Sequence, residues 1–117
     1  MTSSTRQRAV AATPQRGDVY WTTFPAPVGR RPALVIQNDV GNRSSPSTIV
    51  AIVSTALRSD YPFLVKLELT ELTERAVVHC ETISTVPASW LEGKLGTLSP
   101  QAMRAVDQAL KVSLALK

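Results

Sequence analysis

The stretch Pro32–Gln37 (PALVIQ) and its companion Thr48–Ser54 (TIVAIVS) are the two compact apolar runs that decide the fold. Each run is rich in aliphatic side chains, and each is long enough for a buried strand but too short for a helix. Between them, Asn38–Ser47 (NDVGNRSSPS) has the polar, turn-forming composition of a loop. The sequence therefore predicts two buried strands joined by a surface connection.

Further strands are predicted on both sides of this pair. Val19–Phe24 (VYWTTF) is rich in β-branched and aromatic residues, and the prolines and glycine that follow it mark a loop. Phe63–Leu69 (FLVKLEL) alternates apolar and polar residues, as a half-exposed strand does. Ala76–Val86 is consistent with one long strand or two short ones, closed by Pro87.

The C-terminal segment changes from a strand pattern to a helix pattern. Ser99 can cap a helix whose first residue is Pro100. An apolar stripe follows at steps of three and four residues, formed by Met103, Val106, Leu110 and Leu114. With no internal repeat and no βαβ alternation, we expect a mainly β fold with a C-terminal helix, as a small, strongly bent sheet or half-open barrel.

Length and composition indicate one folded domain. The chain has 117 residues, of which 44% are apolar and 19% charged, so it can bury a core and is not disordered in bulk. The net charge of +4 comes mostly from three arginines and no acid in residues 1–16. We therefore expect residues 1–15 to be a disordered basic tail, or an addition left by cloning, and residues 16–117 to form the domain.

Several classes of protein and site are excluded by what the sequence lacks. It has no apolar run of about 20 residues, which predicts no membrane span, and no secretory signal. With a single cysteine, Cys80, it cannot form an internal disulfide, and no metal or cofactor is expected. It contains no Walker motif and no GxGxxG. These features predict a cytoplasmic protein.

His79, the only histidine, lies in the apolar run AVVHC. We interpret it as a hydrogen-bonded strand histidine without a catalytic role, and a mechanism with two imidazoles in one chain is excluded. Because neighbouring strand residues point to opposite faces, His79 and Cys80 cannot act as a thiol–base pair.

What remains is a set of cationic and hydroxyl side chains at the ends of the two buried strands. Arg31 precedes one strand, directly after a glycine-containing loop, and it forms with Arg30 the only adjacent pair of basic residues. Ser54 and Thr55 end the other strand. A charged residue next to an apolar run is either a solvent-exposed residue at the end of a strand or part of a functional site. The pattern alone leaves both interpretations open.

Taken together, these segments closely resemble the MazF/PemK (Kid) family of toxin endoribonucleases from type II toxin–antitoxin systems. The resemblance extends over about residues 16–116. The segments that carry it are Arg16–Tyr20, Arg31–Asp39, Asn42–Arg43, Val50–Ser54, Glu81–Ile83 and Ser113–Leu116. The loop Pro25–Arg30 is shorter than in many relatives, and Thr82–Ser84 stands where relatives often carry Gln-Ile-Arg.

The resemblance implies an SH3-like small barrel of the CcdB/PemK type that assembles as a homodimer. It also implies a cognate MazE-like antitoxin, with a heterohexamer or a similar complex among the assemblies, and an enzyme that works without metal or cofactor. Arg31 and Ser54 correspond to the family's essential arginine and hydroxyl. The residues expected to contact RNA are Gly29, Arg30, Gln37, Asn38, Thr55, Glu81 and Thr82.

The activity implied is sequence-specific cleavage of single-stranded RNA, which inhibits translation and growth. The RNA 2′-OH would attack the adjacent phosphorus and leave a 2′,3′-cyclic phosphate and a 5′-OH. Because an arginine stays protonated at neutral pH, we expect Arg31 to stabilise charge on the phosphoryl oxygens and Ser54 to hydrogen-bond a phosphate oxygen. The alternatives are a CcdB-like gyrase-binding toxin and a non-catalytic binding module of the same fold.

Overall fold

Six antiparallel strands and two α-helices form the described part of the chain, which is residues 13–54, 62, 64–67 and 76–117 of a computed structural model. The elements, in chain order, are β1 Asp18–Thr23, β2 Arg30–Val35, α1 Asp39–Ser44, β3 Ser47–Ser54, β4 Leu64–Leu67, β5 Ala76–Pro87, a 3₁₀ turn Ala88–Trp90, β6 Leu91–Thr97 and α2 Pro100–Ser113. The strands form one sheet in the order β4-β5-β3-β2-β1-β6. The prediction of a mainly β fold with a C-terminal helix is confirmed.

The sheet is buried on both faces, which explains why its central strands are continuous apolar runs. One face carries Val19, Leu34 and Val53, and helix α2 packs onto it through Val106 and Ala109. The opposite face carries a smaller cluster of buried side chains, formed by Phe24, Ala33, Val35, Val50 and Val86. Alternate residues of β2 and β3 therefore contribute to two separate cores.

The predicted strands agree with the observed ones to within about two residues. Ala76–Val86 is one long strand, β5. The predicted strand Phe63–Leu69 corresponds to β4, with Phe63, Glu68 and Leu69 outside the described residues.

Two elements differ from the sequence-based expectation. The predicted loop Asn38–Ser47 contains helix α1, which begins because the Asn38 side chain accepts a hydrogen bond from the Gly41 amide at 2.7 Å. This short segment shows no helical periodicity, so the pattern could not reveal it. Strand β6 (LEGKLGT) carries two glycines, and the pattern does not predict it; it forms because it pairs with β1 along an irregular register.

Helix α2 begins as predicted and ends before its predicted stripe does. The Ser99 side chain accepts a hydrogen bond from the Ala102 amide at 3.1 Å, and Pro100 is the first helical residue. Leu114 lies just beyond the last helical residue and is 49% exposed. The buried positions of the helix are Val106 and Ala109. Among the described residues, no helix is both long and apolar enough to cross a membrane.

Candidate active site

Arg31 lies at the start of β2, where a short loop folds back over it. The loop closes with a hydrogen bond from the Phe24 amide to the Gly29 carbonyl at 2.9 Å. Gly29 has φ +73°, a conformation that glycine adopts without steric penalty. The Arg31 Nε donates to the Val28 carbonyl at 3.3 Å and its side chain is exposed. The loop therefore orients a solvent-facing guanidinium.

Ser54 is the last residue of β3 and lies at the same end of the sheet as Arg31. β2 and β3 pair antiparallel, with Ala33 opposite Ile52. By strand alternation, Arg31 and Ser54 lie on the same face as Ala33 and Ile52, each two residues beyond this last pair, at the end of the sheet where β2 begins and β3 ends. The structure thus brings both predicted catalytic residues to one edge of one face.

The Ser54 hydroxyl is hydrogen-bonded to the only histidine of the chain. Ser54 Oγ lies 2.6 Å from His79 Nε2, and His79 Nδ1 lies 3.2 Å from Glu81 Oε2. His79 is hydrogen-bonded, as predicted, but its partner is Ser54, at the end of the sheet where Arg31 also lies. Sequence reasoning missed this placement because the pairing of β3 with β5, which sets it, has no local signature.

Cys80 lies on the other face of β5, as alternation predicts. Its side chain is buried in the core beneath α2, and burial raises the pKa of the thiol to about 11. The Cys80 sulfur therefore plays no part in the site that His79 faces.

Arg30 points to the opposite face from Arg31. Its guanidinium lies 4.4 Å from the centre of the Trp21 ring, and its Nε is 3.2 Å from Glu92 Oε1. The Thr23 hydroxyl also donates to Glu92, at 2.6 Å. The hydrogen bonds from Thr23 and then Arg30 lower the pKa of Glu92. The two adjacent arginines thus have separate surroundings.

Gln37 and Asn38 lie beyond the other end of β2, about 20 Å from Arg31 along an extended strand. The Gln37 amide donates to Asn42 Oδ1 at 3.0 Å and to the Ser47 carbonyl at 3.1 Å. Asn38 caps helix α1. Within one copy of the chain, these two predicted RNA contacts are therefore separated from the Arg31 end.

The other predicted RNA contacts are divided. A side chain added at Gly29 would meet no described atom within 4 Å, so this part of the loop is open. Glu81 and Thr82 are exposed on the irregular part of β5, next to His79. Thr55 lies outside the described residues.

Metal-binding side chains do not converge in the described ranges, where no group of three or more His, Cys, Asp or Glu residues could hold an ion. The functional groups at the Arg31 end are a guanidinium, a hydroxyl, an imidazole and a carboxylate. Together they can neutralise an anion and move a proton.

Comparison with known proteins places this geometry in a family. Residues 15–114 match the PemK-like, MazF-like toxins of type II toxin–antitoxin systems. The chain is 37% identical over 110 residues to endoribonuclease EndoA of Bacillus subtilis, an alignment that covers 87% of this chain and 95% of that protein.

Solved structures agree with this assignment. A mycobacterial endoribonuclease superposes with a TM-score of 0.77 at 26% identity, covering 90% of this chain and 94% of that one. A mycobacterial endoribonuclease in complex with its cognate antitoxin gives a TM-score of 0.77 at 28% identity, covering 89% and 97%. The chain therefore belongs to the PemK-like, MazF-like toxin family of type II toxin–antitoxin systems.

Proposed function

We propose that this chain is an endoribonuclease that cuts single-stranded RNA by attack of the RNA's own 2′-OH. The observation that carries the proposal is the placement of Arg31 and Ser54 at one end of one face of the sheet. The endoribonuclease name of a relative 37% identical to the chain supports it.

Arg31 supplies the charge that the reaction requires. As O2′ attacks phosphorus and the P–O5′ bond breaks, negative charge grows on the phosphoryl oxygens. A guanidinium can donate two parallel hydrogen bonds to such oxygens, and the contact of Nε with the Val28 carbonyl orients it without neutralising it. The products are a 2′,3′-cyclic phosphate and a 5′-OH.

Ser54 positions the reacting ribonucleotide. Its hydroxyl lies at the end of a strand buried on both faces, so the backbone that carries it is held firmly. A fixed hydroxyl at the same end of the face as the guanidinium restricts the substrate to the in-line geometry that displacement at phosphorus needs. The substrate supplies the nucleophile, so the mechanism requires neither a metal-activated water nor a protein nucleophile.

Mapping of RNA ends tests the proposal. Purified protein is incubated with total RNA, and new 5′-OH ends are sequenced, with the Arg31→Ala/Ser54→Ala double variant as the matched control. We expect discrete cuts that the double variant lacks. Replacing the single ribose on the 5′ side of the cut by deoxyribose should abolish cleavage. Cuts that survive this replacement would contradict attack by the 2′-OH.

The same experiment separates the alternative functions. Absence of cuts together with inhibition of DNA supercoiling would indicate a CcdB-like gyrase-binding toxin. Absence of both would indicate a binding module. Cleavage that a chelator abolishes would contradict a mechanism without metal.

The proposal includes partners and a location. A MazE-like antitoxin would compete with RNA for Arg31, and a mycobacterial structural relative is known in complex with its cognate antitoxin. A second copy of the chain would cover an open sheet edge, since β4 and β6 end the described sheet. Both assemblies and the RNA substrate are expected in the cytoplasm. A ternary complex of toxin, antitoxin and RNA that still cleaves would exclude the competition.

A further inference from the structure

The arrangement that the proposed function leaves unused is a hydrogen-bonded chain of three side chains from two strands. Ser54 Oγ lies 2.6 Å from His79 Nε2, and His79 Nδ1 lies 3.2 Å from Glu81 Oε2. The His79 side chain is 22% exposed and that of Glu81 is 38% exposed. The series of hydrogen bonds therefore extends from the solvent-exposed Glu81 to the half-buried Ser54.

An irregularity in the pairing of β3 with β5 creates this chain. Ala51 pairs with Ile83, whereas the next residue, Ile52, pairs with His79. Between these two consecutive pairs, β5 therefore contains three additional residues. His79 and Glu81 are two residues apart and lie on the same side of the strand. Ser54 faces Val77, which brings its hydroxyl diagonally next to the His79 ring.

The hydrogen bonds determine which ring nitrogen carries the proton. A carboxylate can only accept, so in the neutral ring the hydrogen lies on Nδ1 and points to Glu81. Nε2 is then an acceptor, and the donor that reaches it is the Ser54 hydroxyl. Because that hydroxyl has a single hydrogen, a hydrogen bond between Ser54 Oγ and the substrate would need the substrate to donate.

This polarity selects the substrate group that Ser54 contacts. A phosphate oxygen has no hydrogen to offer, whereas the ribose 2′-OH does. While its hydroxyl hydrogen is directed to His79, Ser54 cannot donate to a phosphate oxygen. This differs from the expectation that Ser54 hydrogen-bonds a phosphate oxygen. Arg31, which only donates, suits the phosphate.

We propose that His79 is the proton acceptor of the reaction, acting through Ser54, with Glu81 holding the ring in the required tautomer. This inference rests on the proposed function. His79 is a positioning residue in this scheme, since Ser54 is the group that touches the RNA. It supplies the general base that Arg31 cannot supply while protonated.

Protons and electrons balance in this step. The O2′–H bond breaks as the O2′–P bond forms, and the 2′ proton moves to Ser54 Oγ. The Ser54 hydroxyl proton moves to His79 Nε2, and the imidazolium is stabilised by the Glu81 carboxylate. The P–O5′ bond breaks with its electron pair on O5′, which takes a proton from water. His79 returns its proton to solvent.

The groups that face His79 in the described residues are few. They are Ile52 and Ser54 on β3, Leu64 on β4 and Glu81 on its own strand, and Arg31 is a cation at the same end of the sheet. Of these, the Glu81 carboxylate is the charged group in direct hydrogen-bond contact with the ring.

The test compares kcat/KM against pH on an RNA oligonucleotide with one mapped cut site. For the wild type we expect a fall on the acid side, because a protonated imidazole cannot accept. His79→Gln retains a side-chain group that can bond Ser54 but cannot take up a proton. We expect it to lose about 10²–10⁴-fold in rate and to lose the acid-side fall. Thr85→Ala, an exposed substitution on the same strand, is the matched control.

Two further variants separate a relay from a structural role. The Ser54→Ala/His79→Gln double variant should be no slower than the slower single variant, because both interrupt one path. Glu81→Gln should lower the rate and alter the acid-side fall, because the imidazolium loses its carboxylate partner. Binding of the all-deoxy analogue should be unchanged in His79→Gln.

Several outcomes would overturn the inference. These are a wild-type profile without an acid-side fall, His79→Gln activity within about threefold of wild type, or a slow His79→Gln enzyme with the wild-type pH profile. If His79→Gln does not fold, the wild-type profile and Glu81→Gln decide. If Arg31→Ala is inactive while His79→Gln is active, the relay is rejected and the proposed function still stands. An active Arg31→Ala would reject the role of Arg31, and cleavage of a substrate with deoxyribose at the cut site would reject the proposed function itself.

Discussion

An arginine lies near each end of β2, and the two side chains differ in their hydrogen-bond and ion-pair partners. Near one end, Arg16 Nε donates to the Ile36 carbonyl at 2.8 Å, and its Nη2 lies 2.7 Å from Asp107 Oδ1. At the other end, the Arg31 guanidinium donates to the Val28 carbonyl at 3.3 Å, and no described carboxylate pairs with it.

The difference shows how a structural arginine is distinguished from one that can bind a ligand. Arg16 ties the chain before β1 to the end of β2 and to helix α2, so its charge is neutralised within the protein. Its backbone amide also donates to Asp39, which lowers the pKa of that carboxyl group. Arg31 has donors directed to solvent, which a phosphate can accept.

The largest effect that would test this comparison is on catalysis at the Arg31 end. We expect Arg31→Ala to lower kcat/KM by about 10²–10³-fold, because one preorganised donor to the developing charge is lost. The melting temperature should be unchanged, since an exposed side chain with one long hydrogen bond contributes little to folding. Steady-state cleavage and a thermal melt measure the two quantities. A variant equally slow and clearly less stable would mean that Arg31 is also structural.

Next in size is a loss of stability at the other end of β2. Asn42 is 5% exposed; its amide donates to the Gln37 carbonyl at 3.1 Å, and its Oδ1 accepts from Thr48 at 2.7 Å. Asn42→Ala should lower the free energy of unfolding by about 2 kcal/mol, because buried partners lose their hydrogen bonds. Urea denaturation measures it, with the exposed Thr85→Ala as control. Cleavage by the folded protein should persist; its loss would show that the two ends are coupled.

Arg16→Ala gives the converse of the Arg31 experiment with a smaller effect. The pair is partly exposed, 30% for Arg16 and 43% for Asp107, so solvent and salt screen it. We expect the free energy of unfolding to fall by about 1 kcal/mol, less at high salt, with kcat/KM unchanged. Denaturation at low and high salt, beside the Asp107→Asn variant, measures this. A rate loss like that of Arg31→Ala would remove the distinction between the two arginines.

The smallest expected effect distinguishes the two faces of β5. The buried Cys80 thiol has its pKa raised to about 11, above the value of about 8.5 for an exposed thiol. Since the folded state disfavours the thiolate, this contribution to stability is complete below about pH 8.5 and declines as pH rises towards 11. Between about pH 7.5 and 8.5 the urea midpoint of the wild type should fall slightly more than that of Cys80→Ala. An equal fall in both proteins would contradict the shift.

The sequence alone determined the elements whose signal is local. Strands β2 and β3 could be recognised because a strand buried on both faces is a continuous run of aliphatic residues. Such a run is visible in the sequence without knowledge of what it packs against. The start of α2 could be recognised because Ser99 and Pro100 act within one turn. Strand β6 could not, because two glycines weaken its signal and pairing with β1 forms it.

Tertiary structure decided how the candidate site is composed. From the sequence, a family resemblance indicated that Arg31 and Ser54 lie at the ends of neighbouring strands. That Arg30 faces away from Arg31 follows from strand alternation once the bounds of β2 are known. The position of His79 beside Ser54 depends on which strand β5 pairs with and on a three-residue irregularity in that pairing. Local sequence carries no record of a long-range register, because register depends on how two distant segments bury their faces together.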